Sequence, residues 1–299
     1  VAHQGNASLA FLMVVALQAA RLIYAHASGW GRKGDDAEFM SNDYIGIARS
    51  GLMATCGEGD LPPQPLVPGF ADELGGLMCA WGVCVALYAR EKTGRGQLVD
   101  TSLMGAVMSA IRIALEAPAM LGHEFPRAVR AKAGNPLWNH YSCKDDKWIV
   151  LAALQPDRYW SSVCKALGID ENDPKYATLE ARSENCEELI ALIDKILASK
   201  ERAQWEEILK KEGVPYTLVQ TPSEVITDPQ AIANNYVVWF DHPVLGQTRT
   251  LGFPWSFGET PPSIRREAPE YGQHTEEILL ELSYDWEDIT KFKDEEIII

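Results

Sequence analysis

The chain has 299 residues, an apolar share of 46% and a formal net charge of −15. That length can bury a sizeable core and often divides into two domains. The acidic balance argues against a nucleic-acid partner. In chain order, residues 9–20 read as a helix. Its apolar run Leu9–Ala20 is interrupted by Gln18, is too short to span a bilayer and lacks a Lys/Arg-rich lead. Neither a membrane span nor a signal peptide is therefore expected there. Leu22 to Ala25 is either a short buried strand or a continuation of that helix, and 29–34 is a loop.

Residues 44–54 are mixed apolar and lead into a Gly/Pro-rich turn at 57–69. An apolar helix is expected over 74–89 and a tight turn over 93–97. Residues 98–121 read as a strand passing into a helix that ends near Gly122. A basic, proline-bearing linker follows at 123–135. Trp148–Leu154 and Val214–Val219 are strand candidates, and 157–168, 184–198 and 201–211 carry helical spacing. A short helix is expected at 221–234, an extended stretch at 236–266 and a last amphipathic helix at 273–282. Alternating strands and helices predict an α/β fold.

Chemistry is suggested most strongly by residues 66–104. Pro68 and Gly69 break structure just ahead of a lone acid, Asp72. Asp72 stands where a helix N-cap would stand. The free N–H groups and dipole of a helix start favour negative charge. Asp72 is thus either a plain helix cap or a carboxylate nucleophile with spare N–H donors for an oxyanion. Gly75 and Gly76 either allow close approach to the backbone or serve tight helix packing. Arg90, Lys92 and Arg95 form a basic cluster suited to an anion, or simply complement the helix C-terminus.

The turn Lys92-Thr93-Gly94-Arg95-Gly96-Gln97 behind Asp72 resembles the signature of the class III coenzyme A transferases, the family of formyl-CoA transferase and the carnitine and bile-acid CoA transferases. The resemblance continues through Arg21-Leu22-Ile23-Tyr24, Ser28-Gly29-Trp30-Gly31 and Asp43 to Arg49-Ser50-Gly51-Leu52. Downstream it includes Asn135-Pro136-Leu137, Gly213-Val214-Pro215, Asp228-Pro229-Gln230, His242-Pro243 and Gly272-Gln273-His274-Thr275. It covers residues 21–299. Members begin with a nucleotide-binding βαβ half upstream of that point, and residues 1–20 carry no recognised motif.

The resemblance implies a Rossmann-like large domain with an inserted smaller α/β domain, and two subunits interlocked as a homodimer. The large domain would hold 1–122 and 221–299, and the small domain 136–220. The implied activity is transfer of CoA from an acyl-CoA to a free carboxylic acid. Asp72 would attack the thioester, forming a mixed anhydride and then an aspartyl-CoA thioester. Asp43 would be an auxiliary or substrate-binding acid, alongside Gly75 and Gly76. Arg90, Lys92 and Arg95 would contact CoA. CoA is a substrate in this scheme, and no cofactor or metal is expected.

Two other readings stay open. An α-methylacyl-CoA racemase would need a His just before the acid at 43, where this chain has Asn42, which is not a general base. An inactive truncated fragment is the third. Six cysteines show no CxxC pair, which suits reduced thiols and a cytoplasmic setting, with Cys79 and Cys84 expected in the core. Six histidines show no metal-ligand spacing; His242 and His274 are expected to make structural hydrogen bonds.

Overall fold

The computed structural model describes residues 20–299. All but the last residue of the expected 9–20 helix lies outside them. The chain divides into two compact units, one running to Thr217 and the other Leu218–Ile299. Both α-helices and β-strands are present, so the chain is mixed α/β.

In the first unit, β1 (Tyr24–Ser28) pairs in parallel with β2 (Leu98–Ser102), Tyr24 opposite Leu98 and Ser28 opposite Ser102. A parallel pair needs a long crossover. Here it carries α1 (Asp43–Arg49), α2 (Leu52–Thr55) and α3 (Phe70–Thr93). β1 thus begins two residues later than the expected strand. Residues 44–54 are two helices separated by Gly51 at φ 92°.

α3 extends well beyond the expected 74–89. Gly69 at φ 84° starts it, and Gly94 at φ 72° ends it with its N–H on the Arg90 carbonyl at 2.8 Å. Left-handed backbone of this kind is natural for glycine and closes a helix C-terminus. Gly96 has a different task. Its N–H bonds the Ala20 carbonyl at 2.9 Å, and an added Cβ would lie 1.8 Å from the Leu22 carbonyl oxygen. The Lys-Thr-Gly-Arg-Gly-Gln turn therefore stops α3 and seats the chain against the entry to β1.

β2 passes into α4 (Leu103–Ala110), and then, through a bend of 87°, into α5 (Arg112–Glu116) and a π-helical turn at Ala117–Leu121. Ile47, Leu52, Ala71 and Val107 form the buried centre of this region, closed by Leu74, Leu103 and Ile111. α3 is long and apolar enough to cross a membrane by length and composition alone. One side packs on the strands, where a Cβ on Gly82 would lie 2.6 Å from Val99. Elsewhere it is open: Trp81 is 71% and Tyr88 67% exposed. Cys79 is half-buried and Cys84 exposed, so neither joins the buried core expected of them.

The expected linker at 123–135 is strapped down by arginines. Arg127 donates to the carbonyls of Cys56 and Leu61, and Arg130 to Asp194 and the His140 carbonyl. Beyond it a three-stranded sheet runs in the order β3 (Trp138–Ser142), β4 (Trp148–Ala152), β5 (Tyr216–Val219). Helices α6 (Pro156–Leu167), α7 (Leu179–Glu184), α8 (Cys186–Leu197) and α9 (Arg202–Lys211) accompany it. Tyr141, Ile149, Leu151, Leu189, Ile193 and Leu209 are its buried centre.

In the second unit the expected 221–234 helix is two, α10 (Pro222–Val225) and α11 (Pro229–Ala233). Asp228 breaks it by capping α11, accepting from Gln230 and Ala231 at 2.7 and 3.0 Å ahead of the helix-starting proline. The stretch from 236 begins as an antiparallel hairpin, β6 (Val237–His242) with β7 (Gly246–Leu251). α12 (Thr275–Glu281) and α13 (Trp286–Asp294) end the chain.

Candidate active site

Ligands of open parallel α/β sheets sit beyond the carboxyl ends of the strands. At the carboxyl end of β1, Ser28 Oγ accepts from Gly31 N at 3.0 Å and the Gly29 carbonyl accepts from Met104 N at 3.1 Å. A Cβ on Gly29 would collide with Ser41, so only glycine fits there. This loop joins the start of α4, capped by its own Ser102, whose Oγ accepts from Gly105 N at 3.0 Å. It also joins α1 through Trp30, whose ring lies 4.7 Å beneath the Arg49 guanidinium.

The starts of α1, α3 and α4 meet around Gly46. A Cβ there would touch Leu103 at 3.4 Å and Ala71 at 3.5 Å. On α1, Asn42 Oδ1 accepts from Ile45 N at 3.1 Å, as an N-cap. The next residue, Asp43, reaches across to α3. Its Oδ2 accepts from Gly69 N at 2.9 Å, and its Oδ1 from Ala71 N at 2.6 Å and more weakly from Asp72 N at 3.4 Å.

This corrects the expected place of Asp72. Gly69 is the N-cap of α3 and supplies no side chain, so Asp72 falls in the first turn, three residues in. The cap that the sequence assigns to Asp72 is made by Asp43, from 26 residues upstream of Gly69. The donors expected to be spare are largely occupied. Of the first-turn N–H groups, that of Phe70 alone has no acceptor among the described residues. The Asp72 carboxylate is exposed and has no hydrogen-bond or ion-pair partner among the described residues.

Gly75 and Gly76 part ways. Gly75 is buried, and a Cβ on it would meet Leu103 Cδ2 at 2.8 Å. Gly76 is exposed with nothing within 4 Å of its Cβ position. Positions four apart are neighbours on a helix face, so Gly76 leaves clear space beside Asp72. Both glycines lie past the first turn, where backbone N–H groups serve the helix ladder.

Arg90, Lys92 and Arg95 are not brought to Asp72. From Asp72 to Arg90 the helix rises about 27 Å. Arg90 donates to the Arg21 carbonyl at 3.2 Å, Lys92 lies 5.5 Å over the Tyr88 ring, and Arg95 is exposed. His242 Nδ1 accepts from Val244 and Leu245 N–H, both at 3.2 Å, and His274 pairs with Glu277 at 3.0 Å. Among the described residues, no three of His, Cys, Asp and Glu gather where they would hold a metal ion. The long-range bonding of Asp43 to α3 escapes sequence reasoning, because nothing local signals a cap supplied by another helix.

Comparison with known proteins bears on the family of the chain. The family described as CoA-transferase family III matches residues 15–275. An (R)-2-hydroxy-4-methylpentanoate CoA-transferase of Clostridioides difficile is 29% identical over 93% of this chain and 70% of its own length. A cinnamoyl-CoA:phenyllactate CoA-transferase of Clostridium sporogenes is 27% identical, over 93% and 69%. The crystal structure of a CAIB/BAIF family protein from Brucella suis superposes with a TM-score of 0.77 at 26% identity, covering 88% of this chain and 68% of that one.

Proposed function

The chain belongs to CoA-transferase family III, and on that premise we propose that it moves CoA from an acyl-CoA thioester to a free carboxylic acid with Asp72 as the nucleophile. The carrying observation is the Asp72 carboxylate, exposed and without a partner among the described residues, at the start of α3 beside the open space at Gly76. A carboxylate is ionised at neutral pH and requires no base to attack.

In the proposed cycle an Asp72 oxygen bonds the thioester carbonyl carbon and CoA thiolate leaves, giving a mixed anhydride. The thiolate attacks the aspartyl carbonyl, the donor acid leaves as carboxylate, and an aspartyl-CoA thioester remains. The acceptor carboxylate attacks that thioester and expels the thiolate again. Attack of the thiolate on the acceptor's acyl carbon then yields the new acyl-CoA and restores Asp72. Each step exchanges one acyl bond for another and needs no net proton transfer.

Lys92 and Arg95 are proposed for the phosphate end of CoA, since their distance from Asp72 excludes contact with the thioester. Arg90 is already committed to backbone. The open apolar face of α3, with Trp81, Val85 and Tyr88, supports pairing of two copies. The racemase reading loses further support because Asn42, besides lacking a base, spends its side chain on capping α1.

The test is CoA transfer across a panel of acyl-CoAs and acids, with hydroxylamine trapping of an enzyme-bound anhydride or thioester, for this chain and Asp72→Ala. The proposal expects transfer and trapping to vanish together in the variant. Transfer that survives the substitution rejects Asp72 as nucleophile, and α-proton exchange without transfer revives the racemase.

A further inference from the structure

We propose that Asp43 is a positioning residue: it holds the start of α3 in place and keeps the Asp72 carboxylate free for attack. The proposal rests on the reading of Asp72 as nucleophile.

Gly69, the N-cap of α3, sits at φ 84° and offers no side-chain acceptor to the first turn. A helix start without an acceptor leaves N–H groups that draw in any nearby carboxylate. The acid best placed is Asp72 itself, because an acid three residues into a helix can fold back onto the backbone at its cap. A carboxylate bound in that way has lone pairs committed to the backbone at its own cap. Asp43 pre-empts this. Both of its oxygens are used, Oδ2 on Gly69 and Oδ1 on Ala71 and Asp72.

Asp43 can do this because its own backbone is fixed. Asn42 caps α1 through Ile45 N, and Gly46 N bonds the Asn42 carbonyl at 2.9 Å. Gly46 then lets α1 lie within contact of Ala71 on α3 and Leu103 on α4. The carboxylate thus ties two rigid elements together at the residue next to the reacting one. Among the described residues the hydrogen bonds of the Asp43 carboxylate all go to the backbone of α3, so its effect on the reaction would pass through Asp72.

The experiment compares wild type, Asp43→Ala, Asp43→Asn and Asp72→Ala. It measures transfer kinetics, hydroxylamine trapping and amide exchange of the 69–73 segment. Asp43→Ala is expected to lower kcat and the trapping rate about 100-fold, the scale of a misplacement near 1 Å, with KM little changed. Asp43→Asn keeps one acceptor oxygen and is expected to recover much of the rate. Exchange at 69–73 should quicken about tenfold in Asp43→Ala and stay as in wild type in Asp72→Ala. A folded Asp43→Ala with near wild-type kcat overturns the proposal, as does a rise in KM at constant kcat, which would place Asp43 on substrate. If wild type transfers no CoA, the reading of Asp72 fails separately; exchange at 69–73 that is unchanged in Asp43→Ala then overturns the positioning role as well, and faster exchange upholds it.

Discussion

One substitution, glycine to alanine, should have three different outcomes within 21 residues. At Gly76 the backbone is helical and the Cβ position is empty to 4 Å. Alanine there gains helix propensity and should stabilise by about 0.5–1 kcal/mol. At Gly94 space is equally open, but φ is 72°. A Cβ in left-handed backbone costs about 1–2 kcal/mol. At Gly96 the obstacle is backbone itself, the Leu22 carbonyl oxygen 1.8 Å from the new Cβ, with Arg21 C at 2.6 Å. Neither can rotate aside as a side chain would, so the 20–24 segment must move by more than 1 Å to reach ordinary contact. That movement endangers two hydrogen bonds, Gly96 N to the Ala20 carbonyl at 2.9 Å and Tyr24 N to the Gln97 carbonyl at 3.1 Å. Each contributes about 1 kcal/mol net, more where a buried group is left unpaired. If both bonds break and leave their groups unpaired, at about 2 kcal/mol each, the loss after the offset of the stiffer unfolded chain, worth about 0.4–1 kcal/mol, is about 3 kcal/mol. Urea unfolding of the three variants with a common slope reads the order directly. A Gly96→Ala protein as stable as Gly94→Ala would refute the claim that this turn is seated against β1.

Burial holds the Cys143 thiol up at about 11 and that of Cys164 at about 12, each helped by neighbouring acids. At pH 8 these two should react with iodoacetamide only after unfolding, which peptide mass mapping will show. Because the folded values lie above the unfolded ones, these thiols hold protons longer in the folded state. Their contribution to stability is complete below about pH 9 and is lost as pH rises from about 9 towards 12, visible as a falling urea midpoint. Arg182 is 1% exposed, donates to the Tyr176 carbonyl at 2.8 Å and to Asp157, and lies 4.7 Å over the Trp160 ring. Arg182→Ala should cost about 3 kcal/mol through the lost packing and the orphaned carbonyl; a loss under about 1 kcal/mol would show that the buried guanidinium is not what joins α7 to α6. Trp81→Asp, on the open face of α3, should leave the fold intact and shift sedimentation from dimer to monomer if that face pairs copies.

Local signals carried much of the fold. Apolar spacing marks α3, α6, α8 and α9, because a helix one face of which is buried must repeat every three to four residues. The glycines of the 93–97 turn announce a helix end for a reason each position can state by itself. β3 carries no such signal, since Trp-Asn-His-Tyr-Ser reads as polar; its alternation becomes plain once Asn139 and Tyr141 are seen to be buried and Trp138 and His140 exposed. The acid at 72 was legible as a site candidate, but its role was not, because the question of which carboxylate satisfies the first turn of α3 has no local answer. Asp43 meets that turn in a fold where β1 and β2, 74 residues apart, are paired and α1 lies against α3 and α4. A sequence fixes what each short segment prefers. Which side chain meets an unsatisfied N–H in another segment depends on how those segments pack, and packing alone assigned the cap to Asp43 and left Asp72 uncovered.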